Sequence, residues 1–273
     1  MREEGSGRLK QVYMISSLVL LITSIFTGLA YNVFQFILPW VVDSEPAWGL
    51  DESMLGEAMG TMVLLFAGGG LVAAFYVDKI SKKPVAILGG VFTGINCILV
   101  GAAPTYDIFF LGIILIGVGN GIISPVIFAL ISDITPPEKR STNYGVVILF
   151  GLVGALFGII IFIGFLLNGI WRAPYIITGI VTIFLSFMIL FVKIPPKGAK
   201  EHALEEVLKD ESVEYDYRIN ASDIPKILKR KSNIVLILNF ADALPSGIFM
   251  FATLWLSTEH NLNMNLAFFF AIV

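Results

Sequence analysis

Residues 108–131 read IFFLGIILIGVGNGIISPVIFALI, without one charged side chain. A helix needs about 20 mostly apolar residues to cross the roughly 30 Å hydrocarbon core of a bilayer. This stretch is long enough. Its apolar residues do not alternate with polar ones, as the strands of a membrane barrel do. It therefore predicts a spanning α-helix, with Asn120, Ser124 and Pro125 as its unusual residues.

The same reading extends outward on both sides. Comparable runs occupy 12–42, 55–77, 85–103, 145–167, 175–192 and 234–256, and an eighth begins near Leu266. Apolar residues make up 56% of the 273, and charged residues only 14%, against about 25% charge in an ordinary soluble domain. Mean hydropathy is +0.85. A soluble fold would leave much of that apolar surface exposed. The composition thus excludes a soluble enzyme, a nucleic-acid binder and a disordered chain. The first run is too long and too polar within for a cleaved signal peptide. The expected fold is all-α, a polytopic transmembrane helix bundle. The domains expected are a six-helix bundle over 1–192, a connector over 193–233 and the start of a second bundle over 234–273.

Charge placement supports this segmentation independently. With the N-terminus placed in the cytoplasm, every basic residue except Arg172 falls on an inner segment, as the positive-inside rule asks. The first outer loop is acidic, with Asp43, Glu45, Asp51 and Glu52. Asp51 to Ser53 offer an N-cap for helix 2, and the cluster Ser141, Thr142 and Asn143 offers one for helix 5. Pro84 and Pro174 are placed to open helices 3 and 6.

Polar residues within the spans fall on defined faces. Ser24, Thr27, Tyr31 and Gln35 share one face of helix 1. Helix 4 has Asn120 and Ser124, and helix 7 has Asn239, Asp242 and Ser246. Pro39, Pro125 and Pro245 interrupt the same three helices. A proline frees a carbonyl, tolerated at depth only against protein or a wet cavity. Helices 1, 4 and 7 are thus expected to line a central passage. The alternative is that these groups only tie helices together by hydrogen bonds. Asp242 is the sharpest residue, since an ionised carboxylate at depth is costly unless paired, hydrated or protonated. It is a candidate site for a coupling proton or a cationic group; its alternative is a hydrogen bond to a neighbouring helix. Gly68 to Gly70, and Gly151, Gly154 and Gly158, are expected to serve close helix packing.

No catalytic constellation is present. The two histidines, His202 and His260, lie in connecting segments, Cys97 is the single cysteine, and no phosphate loop or metal-ligand spacing occurs. The sequence calls for no cofactor and no metal, and predicts that the protein is not an enzyme. The turn after helix 2 is different: it reads Asp78-Lys79-Ile80-Ser81-Lys82-Lys83. An acid at the negative end of a helix needs a positive partner.

That turn resembles the signature of the major facilitator superfamily, Gly-x-x-x-Asp-Arg/Lys-x-Gly-Arg/Lys-Arg/Lys, with Ala74 and Ser81 replacing its two glycines. The run Gly117 to Gly121, followed by Pro125, Asp133, Pro136 and Arg140, is similar to the family's helix 4 and its exit. Trp171-Arg172 before Pro174-Tyr175 is similar to the entry to helix 6. Pro195 to Glu201 resembles a stretch of spinster-like members. The antiporter signature of helix 5 is incomplete, because its proline is missing.

The resemblance implies twelve helices in two six-helix halves, with solute bound between them and alternating access by rocking. It implies that Asp78, Lys79, Lys82, Lys83, Asp133 and Arg140 form a cytoplasmic gating motif. On this reading the chain is a truncated transporter lacking most of its C-terminal half. The function expected is secondary active transport of a small organic solute in the plasma membrane, with a proton or sodium as coupling ion. Its partners are then the solute, the ion, the lipid bilayer and the missing half, with no nucleic acid. The alternatives are a non-transporting membrane fragment or scaffold, and a seven-helix receptor or light-driven pump. A retinal pump needs a lysine in helix 7, and 234–256 has none.

Overall fold

The computed structural model describes residues 2–77, 79 and 81–195, together with short pieces between 225 and 262. The connector 196–224 and most of helix 7, including Asn239, Asp242 and Ser246, lie outside the described residues. So do Asp78, the side chain of Gln35 and the packing around Gly151 and Gly154.

Six long helices follow one another: α1 Arg2–Ser44, α2 Glu52–Tyr76, α3 Lys82–Gly101, α4 Tyr106–Ile134, α5 Pro137–Leu166 and α6 Arg172–Met188. Short 3-10 turns follow α1 (Pro46–Trp48) and α6 (Ile189–Phe191). No strand occurs among the described residues. Among the described residues, five helices hold a stretch long and apolar enough to span a membrane: Val12–Asn32, Ser53–Tyr76, Lys82–Gly101, Tyr106–Ile134 and Arg172–Phe191.

The helix starts show which local signals decide. Asp51 is the N-cap of α2, and its carboxylate accepts the Met54 N–H at 2.7 Å. The Ser53 hydroxyl donates to the same oxygen at 2.7 Å. These two bonds, the hydroxyl first, hold the Asp51 pKa below its ordinary value. The expected cap of helix 5 at Ser141 to Asn143 is not observed. α5 starts four residues earlier, at Pro137. A proline in the first turn loses no hydrogen bond and brings a preset φ, and Glu138 beside it favours the positive helix end. Asn143 instead donates from inside the helix to Thr135 Oγ1 at 2.8 Å. Pro84 and Pro174 lie in the first turns of α3 and α6, each preceded by two helical residues.

α4 is the central strut. It packs on α2 along one side and on α3 along another, while α3 packs on α6 and α1 on α5, α6 and α4. Glycines set these approaches. A Cβ on Gly117 or Gly121 would strike the carbonyl of Met62 or Phe66 on α2, and one on Gly119 would strike Thr93 of α3. On α2, a Cβ at Gly69 would lie 3.1 Å from the Val118 carbonyl. Small residues let backbones approach where lipid supplies no hydrophobic drive for association. Gly69, Gly70 and Gly158 meet the packing expectation, while Gly68 faces open space.

The two ends of the bundle carry different chemistry. One end holds an aromatic cluster in which Trp48, Phe109, Trp171 and Tyr175 meet edge-on or tilted, at centroid distances of 5.6 to 6.5 Å. The other end holds Lys79, Lys82, Lys83, Asp133 and Arg140. These are called the aromatic and basic ends below.

Candidate functional site

Halfway along α4, Asn120 and Ser124 face a cavity of about 200 Å³. Ser24, Thr27 and Tyr31 of α1 line the opposite wall, Phe66 of α2 closes one side, and Val147 and Ile148 of α5 close another. Five of the six expected residues on α1 and α4 thus meet at one place. The sixth, Gln35, has no described side chain.

The helical backbone has already claimed the hydroxyl protons of Ser24 and Thr27 and one amide proton of Asn120. Ser24 donates to the Leu21 carbonyl at 2.7 Å, and Thr27 donates to Thr23 at 3.0 Å and Ser24 at 3.2 Å. Asn120 donates to the Ile116 carbonyl at 3.3 Å. A hydroxyl that donates to its own helix keeps lone pairs for accepting. The cavity therefore offers hydrogen-bond acceptors beside an aromatic wall, where the Tyr31 and Phe66 rings lie 5.0 Å apart. Such a mixture suits an apolar solute with a few polar groups.

Pro125 contributes differently from expectation. Lacking an N–H, it frees the carbonyl of Gly121. That oxygen lies beside α2, 3.5 Å from where a Cβ on Gly70 would be. In α4 the proline goes with close helix packing.

At the basic end, the Lys82 ammonium meets Asp133 at 2.6 Å, joining the start of α3 to the end of α4, with both side chains largely buried. Lys83 donates to the Leu190 carbonyl at 2.6 Å. Arg140 Nε donates to the carbonyls of Ser132 (3.3 Å) and Thr135 (3.2 Å), which end α4. The Lys79 ammonium lies 3.9 Å from the centre of the Phe75 ring. Lys82 and Asp133, grouped by the family resemblance, are direct partners.

Sequence reasoning missed two features. The first is the clamp at the aromatic end. Arg172 binds Glu45 at 2.7 Å and donates to the carbonyls of Ala103 (2.6 Å) and Gly101 (3.3 Å). Its guanidinium also lies over Trp171, 4.5 Å from the ring centre. The signal was present: a lone basic residue beside a tryptophan, opposite an acidic loop. The second is a buried stripe on α6, Tyr175, Thr178, Thr182 and Ser186, set against α3. Hydroxyl residues spaced 3, 4 and 4 apart mark one helix face, and only a search for polar faces on every span would have exposed it.

An all-helical bundle with membrane-length apolar helices and a polar cavity between them defines a multi-pass membrane protein. The sequence model of the Major Facilitator Superfamily matches residues 20–273, nearly the whole chain, and the chain belongs to that family of membrane transporters. Among curated relatives, Quinolone resistance protein NorA of Staphylococcus aureus is 22% identical over 185 residues, covering 66% of this chain and 47% of that protein. Multidrug resistance protein 2 of Bacillus subtilis is 29% identical over 130 residues, covering 45% of this chain and 32% of that one. The chain thus matches at most about half the length of these relatives. Among solved structures, a bacterial homolog of the human lysosomal transporter Spinster, inward-facing and unoccupied, shares the fold with a TM-score of 0.58. It is 19% identical, over 68% of this chain and 44% of that one.

Proposed function

We propose that residues 1–192 form the first six-helix unit of a secondary active transporter that moves a small organic solute by alternating access. Residues 193–233 connect it to a second unit that begins at 234. The N-terminus and the basic end face the cytoplasm of a plasma membrane, because all basic residues but Arg172 then lie inside, as orientation by positive charge requires. The observation that carries the reading is the cavity itself, where polar atoms of α1 and α4 and rings of α1 and α2 converge. Its described walls hold no Lys, Arg, Asp or Glu, which favours a neutral solute over a charged one. Two relatives named for drug resistance support an aromatic compound as solute and export as direction. Asp242 is the candidate carrier of a coupling proton, as the sole acid within the seventh apolar run. The polar stripe of helix 7, Asn239, Asp242 and Ser246, completes the proposed passage.

The test is uptake of a fluoroquinolone into inverted vesicles from cells expressing the native gene, driven by an imposed pH gradient. Tyr31→Ala and Asn120→Ala are each expected to cut uptake about tenfold, the equivalent of about 1.4 kcal/mol of lost binding. Asp242→Asn is expected to remove the response to the gradient. Unchanged uptake in the first two variants overturns the passage. An intact gradient response in the third overturns the proton role alone.

A further inference from the structure

α2 and α3 both pack on α4, and a trough runs along the outer surface where α3 meets α4. Its wall is the α3 stripe Val85, Leu88, Phe92 and Ile95, and its floor is Val118 and Ile122 of α4. It encloses about 520 Å³. Through Val85 and Ile122 it continues into a second hollow of about 190 Å³, walled by Val72 and Tyr76 of α2 and reached by Lys82. Leu88 is 69% exposed and Ile95 54%, so the trough opens outward, and it shares no lining residue with the polar cavity.

The trough is apolar along its length and polar at one end. From Val85 to Ile95 the helix rises about 15 Å, half of a roughly 30 Å hydrocarbon core. That is the reach of a chain from a single leaflet. At the mouth, the half-exposed Tyr76 lies beside Lys79, whose ammonium is 5.6 Å from the tyrosine ring centre. The turn carries Lys79, Lys82 and Lys83 against Asp78 and Asp133, so the mouth is net positive. Lys82 is engaged by Asp133, and Lys83 by the Leu190 carbonyl.

We propose that the trough holds one acyl chain of an anionic phospholipid, with its phosphate at Lys79 and Tyr76. A fluid annulus needs only an apolar surface. A concave channel ending at a net-positive turn selects one lipid class, since a lysine near the membrane surface adds about fivefold in affinity for anionic lipid. The site is separate from the proposed solute passage and rests on membrane embedding, not on transport.

The test reconstitutes the whole chain in nanodiscs of phosphatidylcholine with one-fifth phosphatidylglycerol. Native mass spectrometry after detergent extraction then counts the retained lipids. Phosphatidylglycerol is expected to be retained in preference to phosphatidylcholine. Lys79→Gln is expected to lower its retention about fivefold, and Lys139→Gln, a matched loss of charge elsewhere at the basic end, to leave it unchanged. Val118→Phe, which fills the floor, is expected to lower retention with Lys79 intact. Equal retention of the two lipids, or no effect of Lys79→Gln, overturns the proposal. So does a changed oligomeric state of Val118→Phe with lipid retention unchanged, which assigns the trough to a second copy of the chain.

Discussion

The aromatic and basic ends of this bundle solve one problem with different materials. At the aromatic end, four rings and a guanidinium bind the start of α6 to α3, α4 and the first loop. Arg172 reaches two carbonyls, a carboxylate and a ring face at once. At the basic end, Lys82 and Lys83 show one polar contact each, to Asp133 and to the Leu190 carbonyl, Lys79 lies over the Phe75 ring, and the guanidinium of Arg140 donates within the α4–α5 turn. Planar groups with several partners make a permanent joint; flexible ammonium groups make contacts that can be exchanged. Under the proposed alternating access, the end rich in lysine is the one expected to move.

This contrast can be tested by substitutions whose effects differ in size. Trp171 is 2% exposed and sits within the ring cluster. Trp171→Ala should cost about 3–5 kcal/mol, read as thermal unfolding in detergent micelles. Gly121→Val forces α2 away from α4, because the Phe66 carbonyl occupies the added volume. Overpacking of this kind costs about 1–3 kcal/mol, and the lost contact should show as faster hydrogen exchange in α2. Arg172→Met should cost about 2 kcal/mol, since the Glu45 carboxylate and two carbonyls lose their partner. Lys82→Met should also cost about 2 kcal/mol, since the largely buried Asp133 carboxylate loses its partner. Arg172→Lys should lose most of the same stability and Lys82→Arg almost none; the reverse order would break the distinction between the two ends.

The smallest effect concerns Asp51. Its folded pKa lies below the ordinary 3.8, so the cap's contribution is complete above that value. It is lost as pH falls through the depressed folded value. Exchange of the Leu55 amide, which donates to the Asp51 carbonyl at 3.3 Å, should stay slow at neutral pH and quicken only in that acid range. Asp51→Asn should remove this pH dependence.

Most of the architecture could be read from hydropathy, because lipid forces every backbone polar group into an internal bond. The six helices of 1–192 lie within a few residues of the expected apolar runs at most ends. The exceptions are the starts of α1, at Arg2 against an apolar run from 12, and of α5, at Pro137 against a run from 145, where the pair Pro136-Pro137 outweighs the polar caps. The meeting of α1 and α4 at a polar cavity was legible from helical spacing, which decides what shares a face. The roles of partners were not. The sequence marks Arg172 as a lone basic residue opposite an acidic loop, but it does not pick out Glu45 among the acids there, because the contact joins residues 127 apart. Nor does helical spacing disclose that the carbonyl freed by Pro125 lies against Gly70. That contact depends on how closely two helices approach, which the glycines of both set together.

The central claim is that the polar face shared by α1 and α4 borders a solute passage open to water. Cysteine labelling tests it directly, because the native Cys97 is fully buried. Ser124→Cys and Tyr31→Cys, in the reconstituted protein, should react with a membrane-impermeant thiol reagent, while Leu88→Cys on the lipid-facing trough should not. If Ser124→Cys and Tyr31→Cys are as inert as Leu88→Cys, the passage does not exist.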